Sequence, residues 1–425
     1  MALWLLIGIF FVLLLMAVPI ALAMGFAGLV AILNIGRIPL TLFPQRLFSA
    51  VNSFPLMAVP YFILAGLVMN SAGLTKRLVA FSDALVGHFL GGLAQVNVLV
   101  SMLFAGISGS ASADASAIGA MMIPAMIEDG YDRPFSVAVT AASSCIGPII
   151  PPSIVMVIYG SITELSIGQL FAAGLLPGVI IGLAQMGLVW TYAKKRGYKA
   201  RQRVPFREVL RRGKEAIWGL IAPLIILGGI LGGVFTATEA GAIAAVYGVC
   251  VGLFIYKDIK IRDLPKVIKE SAVMTAIPML ILAYASVFGW VLARQNFSGN
   301  MVAWISNLTT NPQVLMLIAA FMLLIVGLFV EGTAAIMIFV PVFMPLITRF
   351  SLDPIHFGLV VIVTMLVGTI TPPVGLQLYI ASSIAGIPIT KVKEIWAFTL
   401  VMMAVVVAMI FIPALTTWLP GLLFR

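Results

Sequence analysis

The residues best placed to do chemistry are two runs that interrupt apolar stretches, Gly147-Pro148-Ile149-Ile150-Pro151-Pro152-Ser153 and Gly368-Thr369-Ile370-Thr371-Pro372-Pro373-Val374. Proline has no amide hydrogen and clashes with the carbonyl four residues back. Pro151 and Pro152 therefore free the carbonyls of Gly147 and Pro148, and Pro372 and Pro373 free those of Gly368 and Thr369. At bilayer depth a bare carbonyl needs a partner, and a sodium ion is a suitable one. The plain alternative is a proline kink satisfied by neighbouring helices; two such breaks at matching places favour a site. Two polar kinks supply the second half of each site. Ser108, Gly109, Ser110 and Ser112 offer hydroxyls and open backbone in one, and Glu331, Gly332 and Thr333 in the other. Small residues also serve plain helix packing, and for Ser112 the two readings weigh equally.

Ionisable groups inside the apolar runs are few: Asp114, Glu239 and Glu331. A carboxylate in lipid is costly and marks function by default. Asp114, one turn past the first kink, either orients that kink or faces a substrate. Glu239 follows Phe235-Thr236-Ala237-Thr238, where the helix dipole alone favours a carboxylate, so it reads as structural. Arg294 ends an apolar run; it either snorkels or pairs with a substrate carboxylate, which Arg binds bidentately.

The elements that must position these groups are set by composition. Of 425 residues 62% are apolar and 9% charged, and mean hydropathy is +1.16, against about 25% charged residues in soluble domains. Runs long enough to cross hydrocarbon as helices recur from residue 4 to residue 424. The chain reads as an all-α polytopic membrane protein. Single spans are expected near 4–33, 56–73, 168–193, 218–234, 238–256, 271–293 and 395–420. The first run lacks a basic leader region and reads as a retained span rather than a signal peptide. The runs 134–160 and 356–385 read as broken helices, and 93–127 and 313–348, kinked halfway, as re-entrant hairpins.

An offset of 221 residues aligns Pro124, Asp132, Val139, Gly147, Ile149, Pro151 and Pro152 with Pro345, Asp353, Val360, Gly368, Ile370, Pro372 and Pro373. The chain therefore divides into an N-terminal span and linker (1–55), a first repeat (56–193), a basic loop (194–217), scaffold spans (218–256) and a second repeat (271–425). With the basic loop inside, segments 74–92, 128–133, 194–217, 257–270 and 386–394 carry 2, 1, 10, 5 and 2 Lys or Arg, 20 of the 25 present. Only Arg37, Arg46, Arg294, Arg349 and Arg425 fall outside. That bias fits a cytoplasmic N-terminus and an external C-terminus, and it makes the repeats inverted, the sequence signature of a secondary transporter. The net charge of +10 sits in these loops, so it reports orientation in a lipid bilayer, not nucleic-acid binding.

Cys145 and Cys250 make no disulfide framework, and His88 and His356 no metal cluster. A nucleotide-binding loop is absent, so transport must be driven by a gradient or another subunit. A channel is disfavoured because its filter repeats by oligomeric symmetry, and an enzyme because no nucleophile–base pair is visible.

The stretch Leu103 to Asp114 (LFAGISGSASAD), the loop Glu128-Asp129-Gly130-Tyr131-Asp132, both proline breaks and Gly233 to Ala240 (GVFTATEA) resemble the large membrane subunit of tripartite ATP-independent periplasmic (TRAP) transporters over nearly the whole chain. Ala237 departs from that family's usual proline. The resemblance implies sodium-driven uptake of an organic anion, of C4-dicarboxylate or sialic acid type, by an elevator-type motion in the bacterial inner membrane. It implies two partners, a periplasmic substrate-binding protein and a small four-span membrane subunit. By the same resemblance one sodium site corresponds to Ser108, Ser110, Gly147, Ile150 and Pro152, and the other to Glu331, Gly368, Thr371 and Pro373. Substrate contacts are expected from Ser112, Asp114 and Arg294. The alternative is a stand-alone proton- or sodium-coupled anion transporter of related fold, with Asp114 and Glu331 as proton carriers.

Overall fold

The computed structural model describes residues 2–36, 38–198 and 200–424, and these form helices joined by short turns. Arg37 and Arg425, counted outside, and Lys199 of the basic loop lie beyond the described residues. The order begins with α1 (Ala2–Leu15), α2 (Ile20–Ile35), α3 (Leu42–Val51), α4 (Ala58–Ser71) and α5 (Leu74–Val86). A hairpin follows, α6 (Gly92–Ser108) and α7 (Ala111–Glu128). The first broken helix is α8 (Arg133–Ser144) and α9 (Ile154–Thr163), and then come α10 (Ile167–Arg196), α11 (Phe206–Leu231), α12 (Ala237–Cys250), α13 (Leu264–Arg294) and α14 (Phe297–Leu308). The second hairpin is α15 (Pro312–Gly327) and α16 (Gly332–Arg349), the second broken helix α17 (Pro354–Gly368) and α18 (Leu376–Ala385), and the chain closes with α19 (Ile395–Phe411) and α20 (Ala414–Leu423).

Both hairpins and both broken helices fall where the Gly, Ser and Pro punctuation placed them. The element order also repeats at the 221-residue offset well beyond the motifs, since α14 stands where α5 predicts it and α16 where α7 does. Two single spans are corrected. The run 4–33 is two helices, α1 and α2, packed along each other and joined by a turn in which Ala17 has φ +59°. The run 395–420 bends by 61° between α19 and α20. The short helices α3, α5 and α14 were not foreseen.

Ion pairs show which segments share a face. Arg77 binds Asp258 (2.7 Å), Arg201 binds Asp83 (3.3 Å) and Asp129 (3.0 Å), and Arg196 binds Asp132 (2.7 Å) and Glu394. These pairs link all five segments expected inside. The 31 residues of α13 reach about 46 Å, carrying Arg294 to the opposite face. There the guanidinium of Arg46 lies 5.9 Å from the Trp290 ring centre.

The N-terminus departs from expectation. Gly25 of α2 packs on Tyr284 and Gly28 on Val287, so α2 runs parallel to α13 and ends at the Arg294 face. The hairpin turn then returns α1 toward that face, with Phe10 on Phe288 at 5.2 Å between ring centres. The first helix thus starts opposite the ion-paired face, not on it, because a run read as one crossing is two half-length passes.

Two packing groups emerge. The second half of each broken helix packs on the hairpin of the other repeat, α9 on α16 and α18 on α7. Hairpins and broken helices are therefore interlocked. Against them stand α2, α3, α4, α12 and α13, which pack on one another.

Candidate functional site

At the first hairpin tip Gly109 adopts φ +59°, and a side chain there would meet the carbonyl oxygen of Pro152 at 2.6 Å. The backbones of tip and break therefore touch, and the amide of Ile154 donates to Gly109 O (3.4 Å). The second site repeats this contact at the matching break position, Gly375, whose amide donates to Leu328 O (3.5 Å). Gly327 and Gly368 also meet backbone to backbone, a side chain on Gly327 standing 3.0 Å from the α-carbon of Gly368. Each candidate site is a hairpin tip seated on a break.

The side chains expected as sodium ligands also hold the tips together. Ser110 and Glu331, matched by the repeat, are both N-caps: Ser110 Oγ accepts from Ala113 N (3.4 Å) and Glu331 Oε2 from Ala334 N (3.1 Å). Thr333 Oγ1 donates to Glu331 Oε1 (2.8 Å). Capping satisfies amides that a helix start leaves bare, and it leaves carboxylate lone pairs free for an ion. Ser108 Oγ donates to Asp114 Oδ1, and the other carboxylate oxygen of Asp114 lies against Gly147 without a hydrogen-bond partner among the described residues.

The fate of the proline-freed carbonyls corrects the simple count. Pro148 O accepts from Ser153 Oγ (2.6 Å), Thr369 O from Gln377 N (3.0 Å) and Gly368 O from Thr371 N (3.0 Å). Among the described residues Gly147, Ile150 and Pro152 present carbonyls without a donor in the first break, and Thr371 and Pro373 do in the second. Thr371 Oγ1 turns back to Val367 O (2.7 Å). No cluster of three or more His, Cys, Asp and Glu residues occurs among the described residues; the oxygens at the two tips and breaks are carbonyls, hydroxyls and the Glu331 carboxylate.

Both tips open into one cavity of about 670 Å³. Its floor carries Ser108, Ser110, Ser112, Glu331 and Thr333, and its far wall is built from α4 and α13, with Ile63, Asn70, Ile277 and Ile281. Gly66 of α4 lets that helix approach the first tip, its missing side chain 3.4 Å from the α-carbon of Ser108. Glu331 is the one ionisable group among the described lining residues, and none of these is Lys, Arg or His.

Of the expected substrate contacts Ser112 lines the cavity. Asp114 does not: fully buried, it ties the end of α6 to the first break and so orients the tip. Arg294 does not either. It lies exposed at the end of α13, thirteen residues or about 20 Å past the cavity-lining Ile281, and is not among the residues that line the cavity. Glu239 is structural as expected, its Oε2 accepting from Thr236 N (2.8 Å) in a capping box. Sequence reasoning missed Gln377 and Asn70, which line the cavity; the available signal was a neutral polar side chain within an apolar run.

The family model described as "Tripartite ATP-independent periplasmic transporter, DctM component" matches residues 7–415. The chain is 38% identical over 400 residues to the C4-dicarboxylate TRAP transporter large permease protein DctM of Pseudomonas aeruginosa, covering 94% of each chain. It is 36% identical over 405 residues to the sialic acid TRAP transporter large permease protein SiaM of Vibrio cholerae, covering 95% of each. The isethionate TRAP transporter permease protein DctMQ of Oleidesulfovibrio alaskensis is 37% identical over 98% of this chain and 66% of its own length. Among solved structures the fold is similar to the YdaH transporter of Alcanivorax borkumensis (TM-score 0.63, 14% identity, 86% of each chain). It is also similar to MtrF of Neisseria gonorrhoeae (TM-score 0.58, 12% identity, 87% of this chain and 83% of that one).

Proposed function

The chain belongs to the DctM component family of tripartite ATP-independent periplasmic transporters, a multi-pass membrane permease and not an enzyme, and from that premise we propose that it couples uptake of a small organic anion to sodium by an elevator motion. The observation that carries the reading is the cavity shared by both hairpin tips, which holds one carboxylate and, among its described lining, no basic residue. An anion entering it meets like charge. Cations held at the two tip–break contacts remove that penalty, so ion and anion bind together or not at all.

The interlocked packing supports the motion. Moving one tip alone would dismantle the site that it completes, whereas the hairpins and broken helices can move as one body past α4 and α13. The ion-paired face, rich in Lys and Arg, is the cytoplasmic one on the positive-inside rule, in a bacterial inner membrane. The start of α1 and the end of α20, where Phe424 packs on Gly168 at the start of α10, then lie on the periplasmic side.

The substrate is of the class that the relatives' names print, a C4-dicarboxylate, sialic acid or isethionate, and a periplasmic binding protein delivers it. A four-span subunit docks on the scaffold; the third of DctMQ that this chain does not match leaves room for such a unit. Uptake by the reconstituted two-subunit complex, at saturating substrate, should require the purified binding protein. Full-rate transport without it would favour a stand-alone carrier.

A further inference from the structure

Gln377 is the second residue of α18, just after the second break, and nothing in the expected sodium sites uses it. Its backbone N–H donates to Thr369 O (3.0 Å), the residue is 1% exposed, and it lines the cavity. The carboxamide oxygen has no hydrogen-bond partner among the described residues. Buried polar side chains are normally paired, and each exception calls for an explanation; of the unpartnered carboxamide oxygens among the described residues, only that of Gln377 belongs to a cavity-lining residue.

The placement is one-sided. The first repeat has Met156 at the matching position, fully buried and absent from the cavity wall, and Ile154 and Val155 line that side. The cavity therefore presents hydrocarbon beside the first break and an amide beside the second. A carboxamide offers a donor and an acceptor. A bare carboxylate or sulfonate engages only the donor, whereas an acid bearing a hydroxyl or amide engages both ends.

We propose that Gln377 is a specificity-determining residue of this cavity, selecting organic anions that carry a hydroxyl or amide group over plain analogues. This rests on the reading of the cavity as the anion site. A site built to hydrogen-bond a substrate hydroxyl discriminates strongly against the analogue that lacks it, because its own polar group is then left unpaired.

The test uses the reconstituted complex with Cys250→Ser and a reporter Ile277→Cys on the cavity wall. Alkylation by N-ethylmaleimide is followed in saturating sodium, without binding protein, so that the readout belongs to this chain alone. The probes are malate against succinate, isethionate against ethanesulfonate, and N-acetylneuraminate. With Gln377 present, a hydroxylated probe should protect at about tenfold lower concentration than its plain analogue, and N-acetylneuraminate should protect. In Gln377→Met, of similar volume, the preference should collapse and half-protection by N-acetylneuraminate should shift up by about tenfold. A loss of packing alone would weaken both members of a pair equally. An unchanged preference in Gln377→Met would overturn the proposal while leaving the anion site standing. Failure of every probe to protect would overturn the anion site, and the selectivity with it.

Discussion

Gly109→Ala tests whether contact between hairpin tip and break builds a sodium site. Two effects are introduced, and the structure separates them. An L-residue at φ +59° costs about 1–2 kcal/mol wherever it stands. In addition the new methyl carbon would sit 2.6 Å from Pro152 O and 3.2 Å from Ile154 N. Both are backbone atoms that cannot rotate away, so the tip must withdraw from the break by most of an ångström. The Ile154–Gly109 hydrogen bond, at 3.4 Å, does not survive that. Gly130 is the matched control, with φ +89° and no atom within 4 Å of a side chain placed there. Both variants should lose thermal stability through the φ cost, Gly109→Ala the more because it also loses the Ile154–Gly109 hydrogen bond. Gly109→Ala alone should also lose a ligand contact to a charged group, about 1.5–3 kcal/mol, raising the half-activating sodium concentration tenfold or more. The assay is sodium activation of binding-protein-dependent uptake in proteoliposomes. Equal sodium dependence in the two variants would refute the idea that tip and break share an ion.

The matched caps give a second expectation: Ser110→Ala and Glu331→Ala should each cost about 1 kcal/mol of helix stability and weaken sodium activation, while Glu331→Gln should keep most of the stability and still weaken activation. Wild-type sodium curves in all three would remove these side chains from the ion sites. Thr236→Ala should destabilise by about 0.5–2 kcal/mol through loss of the α12 cap, with sodium dependence unchanged; a shift in sodium dependence would mean that Glu239 acts in transport. Cysteines placed near Gly92 and near Asn311 should react with impermeant reagent from the cytoplasmic and the periplasmic side respectively, and labelling from one common side would contradict inversion of the repeats.

Hairpins and broken helices were legible because Gly, Ser and Pro interrupt apolar runs at their ends, and the 221-residue offset checks each reading against the other. The turn between α1 and α2 was not, because Met16-Ala17-Val18 is as apolar as the helices it joins and Pro19 alone marks it. Proline chemistry counts the carbonyls that lose a donor, but the replacement donors, Ser153 Oγ to Pro148 O and Gln377 N to Thr369 O, are supplied by local folding that a motif does not show. Ser110 and Glu331 read as ligands from their chemistry alone; the role the structure shows, as caps, follows from standing at the first residue before an apolar helix. Arg294 shows the opposite limit, since guanidinium chemistry fits a carboxylate but α13 carries it away from the residues that line the cavity. Gln377 was overlooked because a neutral amide leaves no mark on a charge count.

Entry of an anion into a cavity without a basic residue among its described lining should require sodium. That requirement is tested most directly by measuring uptake in proteoliposomes containing the complex and loaded binding protein, under an inward sodium gradient and under an inward proton gradient in choline. Sodium should drive accumulation and the proton gradient in choline should not; equal rates under the two gradients would contradict it.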